Sequence, residues 1–141
     1  MAIGFFVEGI KYNVKDKLVR KSWLKEVVLA SDKRIGDINY IIVSDEYLLS
    51  MNQQYLKHDT YTDIITFDYC EDNVVSGDMF ISLDRVRENA QMFNVGEDQE
   101  FNRVLVHGLL HLLGQKDKSK ADSEEMRRKE ELWLSKIQKN S

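Results

Sequence analysis

The segment from His107 to Asp117, HGLLHLLGQKD, contains two of the three histidines of the chain, four residues apart. Four residues of an α-helix turn through about 400°, so His107 and His111 would point the same way, one turn apart. Two imidazoles held like this can chelate one metal ion, because neutral imidazole is a common nitrogen ligand of zinc. Their types and spacing therefore predict a metal site on a helix.

A third ligand has to come from beyond this helix, because the next turn would present Gln115. Gly114 permits the positive φ at which helices often end, and Asp117 follows the bend. Two histidines and one aspartate leave a fourth position of zinc open, which is typical of catalytic sites. We therefore predict one zinc ion on His107, His111 and Asp117, with water at the open position as the nucleophile. A solvated charge or a helix cap is the alternative for Asp117.

The same spacing occurs in the metzincin peptidases, whose motif is H-E-x-x-H-x-x-G-x-x-H. The glutamate of that motif is the general base of the peptidase, and Gly108 stands at its position here. The predicted metal scaffold is therefore present without the peptidase base. The sequence identifies no other general base.

The elements that would position this helix follow from hydrophobic periodicity. Strands are predicted over residues 3–14, 38–45, 62–70 and 74–83, and helices over residues 15–32, 45–56, 84–95, 98–114 and 119–138. The first two strands are joined across a helix and should be parallel, whereas the last two are joined by a short polar turn and should be antiparallel. The predicted fold class is α/β (α+β), a mixed four-stranded sheet with about five helices, in one domain over residues 1–141.

Several residues are predicted to bound these helices. Ser44 should start the second helix, Ser82 and Asp84 should cap the third, and Gly96 should end it. The last helix is amphipathic, and four of its residues are predicted to face inward: Met126, Leu132, Trp133 and Ile137.

Composition narrows the function classes. The single cysteine, Cys70, excludes an internal disulfide, the N-terminus shows no signal peptide, and no apolar run reaches the about 20 residues of a membrane span. We expect a cytoplasmic protein that does not bind membranes. The net charge is −4, but residues 11–35 carry eight Lys and Arg against three Asp and Glu. Such basic segments can neutralise phosphates, although solvated helix faces are the simpler explanation.

The segment HGLLHLLGQKD resembles the H-G-x-L-H-L-x-G-x-x-H motif of the YbeY family of bacterial endoribonucleases. Three further stretches are similar to that family: NQQYLKHDTYTDIITF at residues 52–67, SGDMFISLDRV at residues 76–86 and SEEMRRKEE at residues 123–131. The resemblance implies a zinc-dependent endoribonuclease that prefers single-stranded RNA and has its metal in a cleft beside a mixed four-stranded sheet. It also implies roles in maturation of the three-prime end of small-subunit ribosomal RNA and in ribosome quality control. The family's ligands carry over to His107, His111 and, in place of a third histidine, Asp117.

The chain also departs from the family at the arginine before the T-D-V-L-S-F strand, which the resemblance implicates in nuclease activity and which falls on Leu56. Lys57 is adjacent, but it would point elsewhere and lacks arginine's bidentate fork, so the arginine's role is not transferred. The catalytic residues are thus unknown. The candidates for stabilising charge on the phosphoryl group are Lys57, His58 and Lys116, and a solvated loop is the alternative for His58.

Two carboxylates are candidates for orienting the histidines. Asp63 and Asp78 either accept a hydrogen bond from the ring nitrogen of His107 or His111 that does not bind the metal, or stabilise strand ends and turns by hydrogen bonds to the backbone. The sequence as a whole predicts an endoribonuclease acting on single-stranded RNA, ribosomal RNA precursors and the small ribosomal subunit. The alternatives are a metalloprotease and a non-catalytic ribosome-assembly protein with a structural metal. The native metal and the oligomeric state are left open.

Overall fold

The structure, a computed structural model, describes residues 2–55 and 62–139. Leu56, Lys57 and His58 lie outside these residues. Every predicted element is present in the predicted order: β1 (Ala2–Val7), α1 (Lys17–Ala30), β2 (Arg34–Val43), α2 (Asp45–Tyr55), β3 (Ile64–Asp68), β4 (Val74–Ser82), α3 (Leu83–Met92), α4 (Glu97–Leu112) and α5 (Lys120–Lys139). The predicted α+β fold class is confirmed. None of the described helices is long and apolar enough to cross a membrane.

The four strands form one mixed sheet in the order β1-β2-β4-β3. As predicted, β1 is parallel to β2, and β3 is antiparallel to β4. Strands β2 and β4 are also parallel neighbours. Because β4 lies between β2 and β3, the short β3 is at an edge of the sheet. β1 ends at Val7 rather than at Val14, because Gly9 then takes a positive φ of 73° that turns the chain away from the sheet.

The core lies between the sheet and the helices that pack on one of its faces. α4 is its central helix, with Val104, Leu105 and Leu109 fully buried. The hydroxyl of the buried Tyr40 on β2 donates a hydrogen bond to the carbonyl of Leu105 at 2.9 Å, and burial raises the pKa of that phenol. This bond joins α4 to β2 and so helps to position the histidines further along the helix.

Two predictions about helix surfaces and ends are wrong. Leu132 is 48% exposed, and Leu134 is buried in its place. Leu132 lies two residues from both Glu130 and Leu134, and two residues turn a helix through about 200°, so it faces the opposite side. Gly96 does not end α3. Asn94 does so at a φ of 56°, while Gly96 is the N-cap of α4.

The predicted caps hold in part. The Ser44 hydroxyl accepts a hydrogen bond from the Tyr47 amide at 3.1 Å, and the Ser82 hydroxyl accepts one from the Arg85 amide at 3.2 Å. The Asp84 carboxylate instead accepts from the amide of Asp45 at 2.8 Å. Asp84 therefore caps the first turn of α2 rather than that of its own helix, a contact between elements that are distant in sequence.

Candidate metal centre

The end of α4 determines how the three predicted ligands meet. Gly114 has a φ of 99°, which favours glycine, and its amide donates to the His111 carbonyl at 3.0 Å. The Gln115 amide donates back to the Leu110 carbonyl at 2.9 Å, which completes a Schellman motif. The motif turns the chain back along α4, as predicted for Gly114, and brings Asp117 beside the two histidines.

The donor atoms of these three side chains form a small triangle. The Nε2 atoms of His107 and His111 are 3.1 Å apart, and the Oδ2 atom of Asp117 lies 3.2 Å from His111 Nε2 and 3.5 Å from His107 Nε2. Ligands of a tetrahedral zinc ion with bonds of 2.0–2.1 Å stand roughly 3.3 Å apart. The triangle thus has the size and the donor chemistry to hold one such ion. The side chains of His107, His111 and Asp117 are 18%, 32% and 35% exposed, so one side of the triangle opens to solvent.

Glu130 on α5 supports this triangle and was not identified as a site residue from the sequence. The Nδ1–H of His107 donates a hydrogen bond to Oε2 of Glu130 at 2.6 Å. Because a carboxylate only accepts, the proton of a neutral His107 lies on Nδ1, and its Nε2 lone pair faces the triangle. A carboxylate behind a metal-binding histidine is a common arrangement that fixes the ring and increases its basicity.

Arg103 holds Glu130 in turn. Its guanidinium makes a bidentate pair with the buried Glu100 and lies 3.5 Å from Oε1 of Glu130 and 3.3 Å from Oδ2 of Asp63. Burial by itself lowers the pKa of Arg103. The hydrogen bonds and charge of Glu100, together with the charges of Glu130 and Asp63, raise the pKa by more, so that it lies above its ordinary value. Arg103 therefore stays charged, and most of its donors are already engaged by carboxylates.

A family model described as Endoribonuclease YbeY matches residues 10–138. The chain belongs to the YbeY endoribonuclease family. A YbeY relative from Bacteroides fragilis is 50% identical over 89% of this chain and 91% of its own length. One from Porphyromonas gingivalis is 47% identical over 96% of this chain and 90% of its own. The solution structure of TM1509 from Thermotoga maritima superposes with a TM-score of 0.68 at 29% identity, covering 96% of this chain and 88% of that one.

The other residues that the sequence predicts near the site lie in different surroundings. Asp63 pairs with Arg103, and Asp78 accepts a hydrogen bond from the Asn39 amide group at 3.0 Å. Lys116 is exposed next to Asp117. Glu130 belongs to the SEEMRRKEE stretch that resembles YbeY, and it follows the buried Met126 by four residues. That spacing places Glu130 on the inner face of α5, a signal that could have identified it.

The structure also explains why this YbeY chain has glycine at position 108. A Cβ added to Gly108 would lie 2.6 Å from Cδ1 of Ile64 and 2.7 Å from Sδ of Met79. The position therefore packs directly on β3 and β4, where a glutamate side chain does not fit. This packing argues against the metalloprotease alternative, which needs its general base at that position.

Replacing Glu130 with glutamine is expected to weaken zinc binding about 10- to 100-fold, because the neutral amide removes the charge behind His107. The measurement is a competition titration of the purified chain against a chromophoric zinc chelator. Glu131→Gln is the matched control, since Glu131 is the exposed neighbour on the same helix and should bind zinc as wild type does. Equal zinc affinity in the Glu130→Gln variant and wild type would show that Glu130 does not support the site.

Proposed function

We propose that this chain is a zinc-dependent endoribonuclease that cleaves single-stranded RNA at the triangle formed by His107, His111 and Asp117. The observation that carries the proposal is the convergence of their donor atoms, which all lie within 4.8 Å of one another on a partly exposed surface. Family membership supports the reaction class, since relatives about 50% identical are named Endoribonuclease YbeY. By the same resemblance, the substrates are ribosomal RNA precursors on the small subunit, in the cytoplasm.

Each side chain has a defined task in this proposal. A bound zinc ion would supply a Lewis acid for the phosphoryl oxygen and would make a water nucleophilic near neutral pH. The Nε2 atoms of His107 and His111 would be the ligand atoms, and Glu130 retains the proton on Nδ1 of His107. Asp117 adds a negative charge that offsets one unit of the charge of the ion. The exposed Lys116 and its neighbours on the turn before α5 lie where they can attract RNA phosphates.

The main alternative is a non-catalytic assembly protein whose metal is structural. Structural zinc sites are usually closed by four protein ligands. Within residues 2–55 and 62–139, the candidate metal group contains three residues, and Glu130 is engaged on the far side of His107. An open position on the ion is what a hydrolase needs, so this count supports catalysis.

The proposal is tested by incubating the purified chain with single-stranded RNA, duplex RNA and casein in parallel. We expect cleavage of single-stranded RNA that stops with a chelator and returns with zinc, and intact casein. Asp117→Ala should lower the cleavage rate at least about 100-fold, because it removes a charged ligand from the metal site. A bound metal ion contributes several kcal/mol of transition-state stabilisation. Asp122→Ala, in the first turn of α5, is the matched control and should keep the wild-type rate. RNA cleavage that persists in chelator would contradict the proposal.

A further inference from the structure

A cavity of about 580 Å³ lies between α3, α4 and α5, next to the metal centre. Glu130 belongs to both: its Oε2 accepts from His107, and its Oε1 faces Arg103 inside the cavity. The volume falls in the range of small-molecule sites. An RNA chain cleaved at the triangle would therefore have a neighbouring nucleotide within reach of this cavity.

One wall of the cavity is aromatic and apolar. Phe93, just after α3, is 57% exposed and contributes its ring to the lining, together with Val95 and the buried Leu134. Exposed aromatic rings beside a nucleic-acid path serve as platforms for stacking bases, and each such contact strengthens binding about tenfold. The wall formed by Phe93 thus has the chemistry of a base-binding surface.

The charges of the cavity favour a base over a phosphate in its interior. Its lining contains four carboxylates, Asp63, Glu100, Glu130 and Glu131, against two guanidinium groups, Arg103 and Arg127. Arg103 is already engaged by three of these carboxylates. The exposed carboxylate of Glu131 and the amide oxygens of Asn89 and Gln99 can accept hydrogen bonds from amino groups, which adenine, cytosine and guanine carry on their edges.

Arg127 is positioned for the phosphate that accompanies such a base. It lies three residues before Glu130 on α5, lines the cavity, and is exposed. The next residue, Arg128, does not line the cavity and is paired with Glu125, whose Oε2 lies 3.0 Å from its Nε. Of these two neighbouring arginines, Arg127 therefore faces the cavity, whereas Arg128 pairs with Glu125 outside it.

We propose that this cavity is a subsite for one nucleobase with an exocyclic amino group, stacked on Phe93, with the adjoining phosphate bound by Arg127. The inference rests on the proposed endoribonuclease function and names the part of the RNA held beside the metal centre. It assigns Phe93 and Arg127 to substrate binding and leaves the cleavage step to the triangle.

The test is equilibrium binding of labelled single-stranded oligonucleotides to the full chain in the presence of a chelator, which prevents cleavage. Oligocytidine and oligoadenosine should bind more tightly than oligouridine. Phe93→Ala should weaken binding of oligocytidine about tenfold, while Phe93→Tyr should retain it. Arg127→Gln should weaken binding of all three oligonucleotides and reduce the slope of log affinity against log salt by about 0.7. Arg128→Gln and Met92→Ala, at exposed positions outside the cavity, are the controls.

Two results would overturn the subsite: equal binding of oligocytidine and oligouridine by wild type, or wild-type affinity in both Phe93→Ala and Arg127→Gln. Cleavage assays with zinc separate this failure from failure of the proposed function. If wild type cleaves RNA but the variants bind and cleave like wild type, the subsite is wrong and the function stands. If the variants lose affinity as expected but wild type with zinc cleaves no RNA, the subsite stands and the function is wrong.

Discussion

Replacement of His111 by alanine is expected to abolish stoichiometric zinc binding and to lower RNA cleavage about 1,000-fold or more. The Nε2 atom of His111 lies 3.1 Å from that of His107 and 3.2 Å from Oδ2 of Asp117, so its removal leaves two donors for the ion. A metal ion supplies several kcal/mol of transition-state stabilisation, and each 1.36 kcal/mol is tenfold in rate. The measurements are metal content by atomic emission and single-turnover cleavage of a single-stranded RNA.

The fold of this variant should survive, because the His111 side chain is partly exposed and its backbone remains helical. Its thermal unfolding in chelator should therefore match that of wild type in chelator. Gln115→Ala is the control: Gln115 lies beyond the end of α4, and its side chain contacts Lys129 and the carbonyls of Lys116 and Asp122 rather than the triangle. A His111→Ala protein that retained one equivalent of zinc and wild-type cleavage would mean that the activity resides elsewhere.

A second large effect is expected in stability: Gly77→Ala should lower the free energy of unfolding by about 3 kcal/mol. A Cβ at position 77 would lie 2.6 Å from the carbonyl oxygen of Phe67 on β3 and 3.1 Å from both methyl carbons of Leu112. The carbonyl belongs to a paired strand and cannot move without disturbing the sheet. Because Leu112 ends α4, the zinc affinity should fall as well. Urea unfolding and the zinc titration measure the two effects.

Gly108→Ala is the matched comparison, since Gly108 is also buried against the sheet. Its Cβ would meet the ends of two side chains, Cδ1 of Ile64 and Sδ of Met79, rather than backbone. Methionine adapts readily, and alanine in place of glycine favours a helix by about 1 kcal/mol, so we expect a net change within about 1 kcal/mol. A larger loss of stability in Gly108→Ala than in Gly77→Ala would refute this account of how α4 sits on the sheet.

The sequence predicted those features that depend on neighbouring residues. The pairing of His107 with His111 follows from the helical repeat, and the return of Asp117 follows from a glycine that permits a helix-ending turn. The directions of two strand pairs followed from the connections: a helix between β1 and β2, and a short polar turn between β3 and β4. These inferences need no knowledge of how distant elements pack. The order of the strands, with β4 next to β2, was not predicted.

Features set by contacts between distant elements were not predictable in the same way. Glu130 reaches His107 from 23 residues away, and this requires that α5 pack across α4. Asp84 was assigned to its own helix but caps α2, 39 residues earlier. In both cases the polar side chain could make its hydrogen bonds equally well with solvent or with a neighbouring residue. The sequence around it therefore does not identify its partner, and only the tertiary arrangement does.

The proposed function requires that three side chains from the end of α4 and the following turn hold one metal ion with an open position. This arrangement can be tested with an anomalous difference map at the zinc edge, from crystals of the full chain grown with zinc. We expect a single peak at about 2.0–2.1 Å from Nε2 of His107, Nε2 of His111 and a carboxylate oxygen of Asp117, with solvent at the fourth position. An absence of density at this point, or a fourth protein ligand on the ion, would contradict it.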